Sequence, residues 1–199
     1  MSRVFGLILT GGEGSRLGGV RKADLRIGGV RLLDRVASVF EGEVTELLVA
    51  SGQEGVVGPH TCIPDESTTR MGPLAGIRAA VRYLETRAEA EDVLVSVAVD
   101  TPFLPQNYVV RLRNAAAATR AAYAAWGENI YPTNSAWQLG ALRDALEETS
   151  ESAGPKAILR KLGATAVDWS AESATDPFSN LNTLNDLIAL QRRAFALGI

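Results

Sequence analysis

The run Leu9-Thr10-Gly11-Gly12-Glu13-Gly14-Ser15-Arg16-Leu17-Gly18-Gly19-Val20-Arg21-Lys22 holds five glycines, two arginines and one lysine, directly after the apolar segment Val4 to Leu9. Glycine leaves the backbone open to close approach by a ligand. Successive N–H groups turned to one side form a concavity that holds anions. Arg16 and Lys22 add full positive charge at its rim. The chemistry this suits is the grip on a triphosphate. Two commoner phosphate loops do not fit. The dinucleotide fingerprint G-x-G-x-x-G fails because Leu17 stands where its third glycine belongs. The P-loop has its glycine spacing at Gly14 and Gly19, but Val20 occupies the lysine position. The pattern that remains is L-x-G-G-x-G-x-R-x-G-G-x-x-K.

Asp100 ends the run Val93-Leu94-Val95-Ser96-Val97-Ala98-Val99, and Thr101-Pro102 follows it. A carboxylate at the end of a central strand, beside a phosphate loop, can hold Mg²⁺, which takes one or two carboxylates plus phosphate oxygens. An Asp that merely opens a turn before proline is the plainer alternative; the glycine loop tips the balance to the metal. Gly72-Pro73-Leu74-Ala75-Gly76-Ile77 places proline in the first turn of a helix and glycine on either side of it, which again favours close backbone approach. Lys22 reads as a point charge for phosphate. As an exposed loop residue it is expected to add little to fold stability. His60 is the sole histidine, so neither a catalytic triad nor a zinc site is supported, and it reads as structural. Trp126, Trp137 and Trp169 read as core or rim aromatics.

These residues are far apart in sequence, and the elements between them must bring them together. Apolar runs over Val4–Thr10, Glu46–Ala50, His60–Ile63, Val93–Val99, Ala121–Trp126 and Ala164–Trp169 read as strands. Ile130–Gln138 is expected to pair near Ala121–Trp126, and Ala23–Ile27 reads as a short strand closed by a Gly28-Gly29 turn. Helical spacing recurs near Leu32–Phe40, Leu74–Leu84, Val109–Ala118, Leu139–Glu148, Pro155–Leu162 and Leu184–Leu197. The alternation predicts βαβ units, hence an α/β fold of three layers around a mostly parallel central sheet. Ligands of such sheets sit beyond the carboxyl ends of the strands. That rule selects Leu9 to Lys22, Asp65 and Asp100.

The 199 residues suit one domain, 1–199, and the formal net charge of −3 gives no global case for nucleic acid or a membrane surface as partner. A basic loop inside an acidic chain points to a local anionic ligand. Cys62 is the only cysteine, which excludes an intrachain disulfide and fits a reducing compartment. No signal-peptide pattern opens the chain, and no apolar stretch nears the ~18 residues that span a bilayer. The expected location is the cytoplasm.

The glycine-loop pattern resembles the signature of nucleotidyltransferases with a Rossmann-like fold, and Gly11-Gly12 most resembles the molybdenum cofactor guanylyltransferase family. Further segments resemble that family in chain order: Asp65 before a loop, Gly72–Ile77, Asp100–Pro102, Tyr131-Pro132-Thr133 with Tyr131 where the family has His, and Phe178-Ser179-Asn180-Leu181-Asn182-Thr183. The resemblance implies transfer of GMP from GTP to molybdopterin, with release of pyrophosphate and Mg²⁺ as cofactor. It assigns catalysis to Arg16, Lys22 and Asp100, with Asp100 on the metal. It assigns binding to Leu9, Thr10, Gly11, Gly12, Gly14, Lys22, Asp65 and Asp100 for the nucleotide, and to Asn180 and Asn182 for the pterin or a phosphate. Thr183 can also cap the last helix. Arg21 departs from the family, which often has Asp before the lysine. The resemblance further implies transient contact with cofactor-delivering and cofactor-receiving proteins. Two other readings stay open. One is a related nucleotidyltransferase acting with CTP on molybdopterin, or on a sugar phosphate, an alcohol phosphate or phosphoenolpyruvate. The other is a regulator that binds nucleotide without turnover.

Overall fold

A computed structural model describes residues 2–10, 13–14, 20–51, 59–64, 72–150 and 152–199. Seven strands form the central sheet: β1 (Val4–Leu9), β2 (Glu46–Ala50), β3 (Thr61–Ile63), β4 (Val93–Ala98), β5 (Ala121–Trp126), β6 (Asn129–Gln138) and β7 (Thr165–Asp168). Their order across the sheet is β7-β5-β6-β4-β1-β2-β3. β1 pairs in parallel with both β2 and β4, and β6 alone runs antiparallel, between β4 and β5. The expected mostly parallel sheet is present. Among the described residues six α-helices cover it: α1 (Leu32–Ala37), α2 (Pro73–Tyr83), α3 (Tyr108–Thr119), α4 (Leu139–Glu147), α5 (Pro155–Lys161) and α6 (Leu184–Leu197).

Side-chain alternation along the strands sorts the core into two slabs. Ile8, Val95 and Val97 pack with Leu33, Val109, Leu112 and Leu190, so α1, α3 and α6 share one face. Leu7, Leu9 and Leu94 pack with Leu74, Ile77, Leu142 and Ile158, so α2, α4 and α5 share the other. All six residues of β1 are buried, as a strand covered on both faces requires. Gly6 in β1 is fixed by packing: a Cβ there would meet Leu47 Cδ1 at 2.6 Å and Phe40 Cδ1 at 2.7 Å. Ser96 interrupts the apolar run of β4 but is fully buried with its polar atoms bonded: its hydroxyl donates to Thr133 O and accepts from Trp137 Nε1, and its carbonyl accepts from Tyr108 Oη. Trp137 and Trp169 are core residues, as expected.

One local reading changes. Ala23–Ile27 is not one strand. Lys22–Asp24 forms a 3₁₀ turn closed by Leu25 N donating to Lys22 O, and only Arg26–Ile27 pairs, with Val30–Arg31. Gly28 and Gly29 both have positive φ, 59° and 80°, which lets a two-residue turn close that hairpin. In β6 the pairing to β5 shifts register between Tyr131 and Ser135. Pro132 lies in that gap and has no N–H to offer a ladder, and proline inside a sheet is confined to edges and bulges.

Candidate active site

The carboxyl ends of β1, β2 and β4 border a cavity. β1 contributes Leu9, β2 Ala50, and β4 Ala98 with Val99 and Asp100 beyond it. The β6 bulge adds Thr133, the entry to α2 adds Gly72, Pro73 and Gly76, and the segment before α6 adds Asn180. Gly72 caps α2 at φ 65°, ψ −169°, a conformation open essentially to glycine alone.

Lys22 and Asp100 meet inside this cavity. Lys22 Nζ donates to Asp100 Oδ2 at 2.7 Å and to Asn182 Oδ1 at 2.6 Å. Their side chains are only 13% and 14% exposed, so Lys22 is not the exposed loop lysine its neighbours in sequence suggest. The 3₁₀ turn that begins at Lys22 carries its side chain inward. Asp100 Oδ1 is buried and has no hydrogen-bond partner among the described residues. The Asp100 carbonyl accepts from Leu181 N at 3.0 Å, which docks the Asn180–Asn182 segment directly onto the strand end.

Of the residues selected from sequence, Leu9, Lys22, Asp100, Asn180 and Asn182 are thus brought together. Thr10 lies beside them, with its hydroxyl donating to Ala50 O at 2.6 Å. Gly14 falls in a short ladder, Glu13–Gly14 against Val20–Arg21. Gly11, Gly12, Arg16 and Asp65 lie outside the described residues. Thr183 caps α6 as expected: its hydroxyl accepts from Asp186 N while Asp186 Oδ2 accepts from Thr183 N.

Sequence reasoning gave no role to Asn134 or Asp176, and named Tyr131 only as a departure from the family's His. Asn134, 1% exposed, accepts from Ala98 N at 3.0 Å and so replaces the ladder bond lost at the bulge. Its Nδ2 is buried without a partner among the described residues. Tyr131 donates its hydroxyl to Asp176 Oδ2. Burial first, and then the Asp176 carboxylate, push the Tyr131 phenol well above its ordinary range, so it stays a proton donor. Pro132 inside a strand-like run is a bulge signal, and it points to this corner together with the resemblance at Tyr131-Pro132-Thr133.

A family model described as "MobA-like NTP transferase domain" matches residues 6–167, which span this sheet and its cavity. The chain belongs to the MobA-like NTP transferase family. Family membership makes it an enzyme of the nucleotidyltransferase type. A molybdenum cofactor guanylyltransferase of Nitrobacter hamburgensis is 33% identical, over 95% of this chain and 93% of the relative. Among solved structures, the molybdopterin-guanine dinucleotide biosynthesis protein A of Archaeoglobus fulgidus superposes with a TM-score of 0.76 at 19% identity, covering 96% of this chain and 99% of that one. The 2-C-methyl-D-erythritol 4-phosphate cytidylyltransferase of Thermus thermophilus superposes with a TM-score of 0.67 at 20% identity, covering 98% and 100%. At these identities the two structures establish the fold. No helix among the described residues is long and apolar enough to cross a membrane.

Proposed function

We propose that this chain transfers GMP from GTP to the terminal phosphate of molybdopterin, releasing pyrophosphate and forming the guanine dinucleotide form of the molybdenum cofactor. The observation that carries this reading is the Lys22–Asp100–Asn182 contact at the carboxyl end of β4, in a chain whose relatives are named molybdenum cofactor guanylyltransferases. We read residues 1–199 as one nucleotidyltransferase domain acting in the cytoplasm, in transient contact with proteins that deliver and receive the cofactor.

Asp100 fits a divalent cation. Its Oδ1 is a buried carboxylate oxygen with no donor among the described residues. No cluster of three or more His, Cys, Asp and Glu occurs among the described residues. Mg²⁺ does not need one, because phosphate oxygens and water complete its shell. Held by Asp100, the ion would neutralise phosphate charge. Lys22, within hydrogen-bond distance of the same carboxylate, adds an ammonium for the triphosphate. Arg16 and the backbone N–H groups of Gly11, Gly12 and Gly14 complete the grip, Leu9 and Thr10 offer backbone groups to guanine, and Asp65 contacts the nucleotide. Asn180 and Asn182 face the acceptor. An oxygen of the acceptor phosphate attacks the α-phosphorus in line. The new P–O bond forms as the bond to the bridging oxygen breaks, and its electron pair leaves with pyrophosphate. The nucleophile is already an anion, so the site needs no general base. Its contribution is positioning and charge stabilisation.

Base choice is tested by calorimetry with Mg²⁺ present. GTP is expected to bind more tightly than CTP or ATP. Preference for CTP would move the activity to a cytidylyl transfer, a chemistry the same fold carries in the Thermus enzyme. GTP binding without any transfer would leave a nucleotide-binding regulator.

A further inference from the structure

The loop that carries Asn180 and Asn182 is pinned from its far end. Asp176 accepts from the Tyr131 hydroxyl through Oδ2 and from Phe178 N through Oδ1, the latter at 2.9 Å. Its carbonyl accepts from Arg193 Nη1 at 2.7 Å and from Ser179 Oγ at 3.0 Å. Phe178 is fully buried, and its ring lies 5.0 Å from that of Tyr131 and 5.2 Å from that of Trp169. Tyr131 itself immediately precedes the β6 bulge, two residues before Thr133 on the cavity wall. The Tyr131–Asp176 hydrogen bond therefore joins two walls of the site, the β6 bulge and the Asn180–Asn182 loop.

We infer that Tyr131 and Asp176 are positioning residues that set Asn180 and Asn182 for the acceptor substrate, without touching the nucleotide. This rests on the guanylyl-transfer reading above. Lys22 has Asp100 as a partner at 2.7 Å beside Asn182, so its place does not rest on the loop alone. Among the described residues the Asn180 side chain has no hydrogen-bond partner, and its placement depends on the backbone that Asp176, Phe178 and Leu181 fix. Only the tyrosine hydroxyl makes the bond; the ring packing survives its removal. A carboxamide at position 176 would preserve both bonds, because its oxygen can accept from Phe178 N while its NH₂ donates to the tyrosine oxygen.

The experiment compares wild type, Tyr131→Phe, Asp176→Asn and the double variant Tyr131→Phe/Asp176→Ala beside Asp176→Ala. Y131F is expected to lower kcat/KM for molybdopterin about tenfold, the scale of a small misplacement of a reacting partner. Its GTP affinity should stay within about threefold of wild type and its melting temperature within about 2 °C. Hydrogen exchange in the 178–183 segment should quicken. D176N is expected to stay within about twofold of wild type, and the double variant should be no worse than D176A. Wild-type acceptor kinetics in Y131F would overturn the inference, as would unchanged exchange in the segment or an additive double variant. If wild type itself transfers no GMP to molybdopterin, the functional reading fails; the exchange comparison still decides whether the pair holds the loop.

Discussion

At the residue scale, Lys22 and Asp100 act as one unit. The ammonium is shared between a carboxylate and a carboxamide, and both charged side chains are mostly withdrawn from water. Removing one charge of such a pair leaves the other poorly solvated, a loss that typically costs about 1–3 kcal/mol. Lys22→Ala is therefore expected to lower stability by about that amount, measured by denaturant unfolding, and to lower single-turnover guanylyl transfer about a hundredfold. This replaces the expectation from sequence of an unaffected fold. A variant with unchanged stability and unchanged rate would place Lys22 in solvent. Asp100→Asn keeps the shape and an acceptor for Lys22 but loses the charge that would hold the cation. It should remain folded by circular dichroism and lose at least about a hundredfold in turnover. Near-normal transfer by that folded variant would remove Asp100 from the metal site.

At the scale of elements, the glycine at the start of α2 is required by backbone geometry rather than space. A Cβ at Gly72 would meet nothing within 4 Å, yet φ is 65°. Gly72→Ala is expected to cost about 1–3 kcal/mol of backbone strain and to disturb the cavity wall. Thermal unfolding measures it, and an unshifted melting temperature would mean the turn relaxes freely. The strands and helices were legible because their signals are long and periodic: β2, β5 and α6 begin and end where the apolar pattern does. The Lys22 turn was not, because a 3₁₀ turn of three residues leaves no periodicity. The β6 bulge was half visible through Pro132. The Tyr131–Asp176 bond joins residues 45 apart, and no local pattern records such a pairing. The same holds for Lys22 and Asn182, 160 apart, which only the resemblance placed in one site.

Across the whole molecule, the end of the sheet away from the cavity is fixed by a staple between β1 and β4. Asp92, 3% exposed, accepts from Arg3 N at 2.7 Å, from Arg3 Nη2 at 2.7 Å and from Glu89 N at 2.9 Å. Burial alone would raise its carboxyl; these donors outweigh burial and hold it below the ordinary range. The N-cap of α6 behaves alike, with Asp186 lowered against its burial by the donors at Asn182 and Thr183. A carboxyl depressed in the folded state stabilises above its unfolded pKa, about 3.9, and that stability is lost as pH falls through the folded value. Asp92→Asn should therefore be less stable than wild type at pH 7, and the gap should close as pH drops below about 4. A gap that stays constant down to pH 2 would assign the loss to packing instead. With this end held and the loop before α6 docked on Asp100, the cavity at the carboxyl end of the sheet is where the proposed transfer would bring two phosphorylated substrates together. The central claim is that GMP passes between them there. The direct measurement is incubation of the protein with Mg²⁺, molybdopterin and α-labelled GTP or CTP, followed by separation of products. Label from GTP is expected in a pterin guanine dinucleotide, with one pyrophosphate released per transfer. No transfer from GTP under conditions where the protein binds it, or transfer from CTP in its place, would contradict the account.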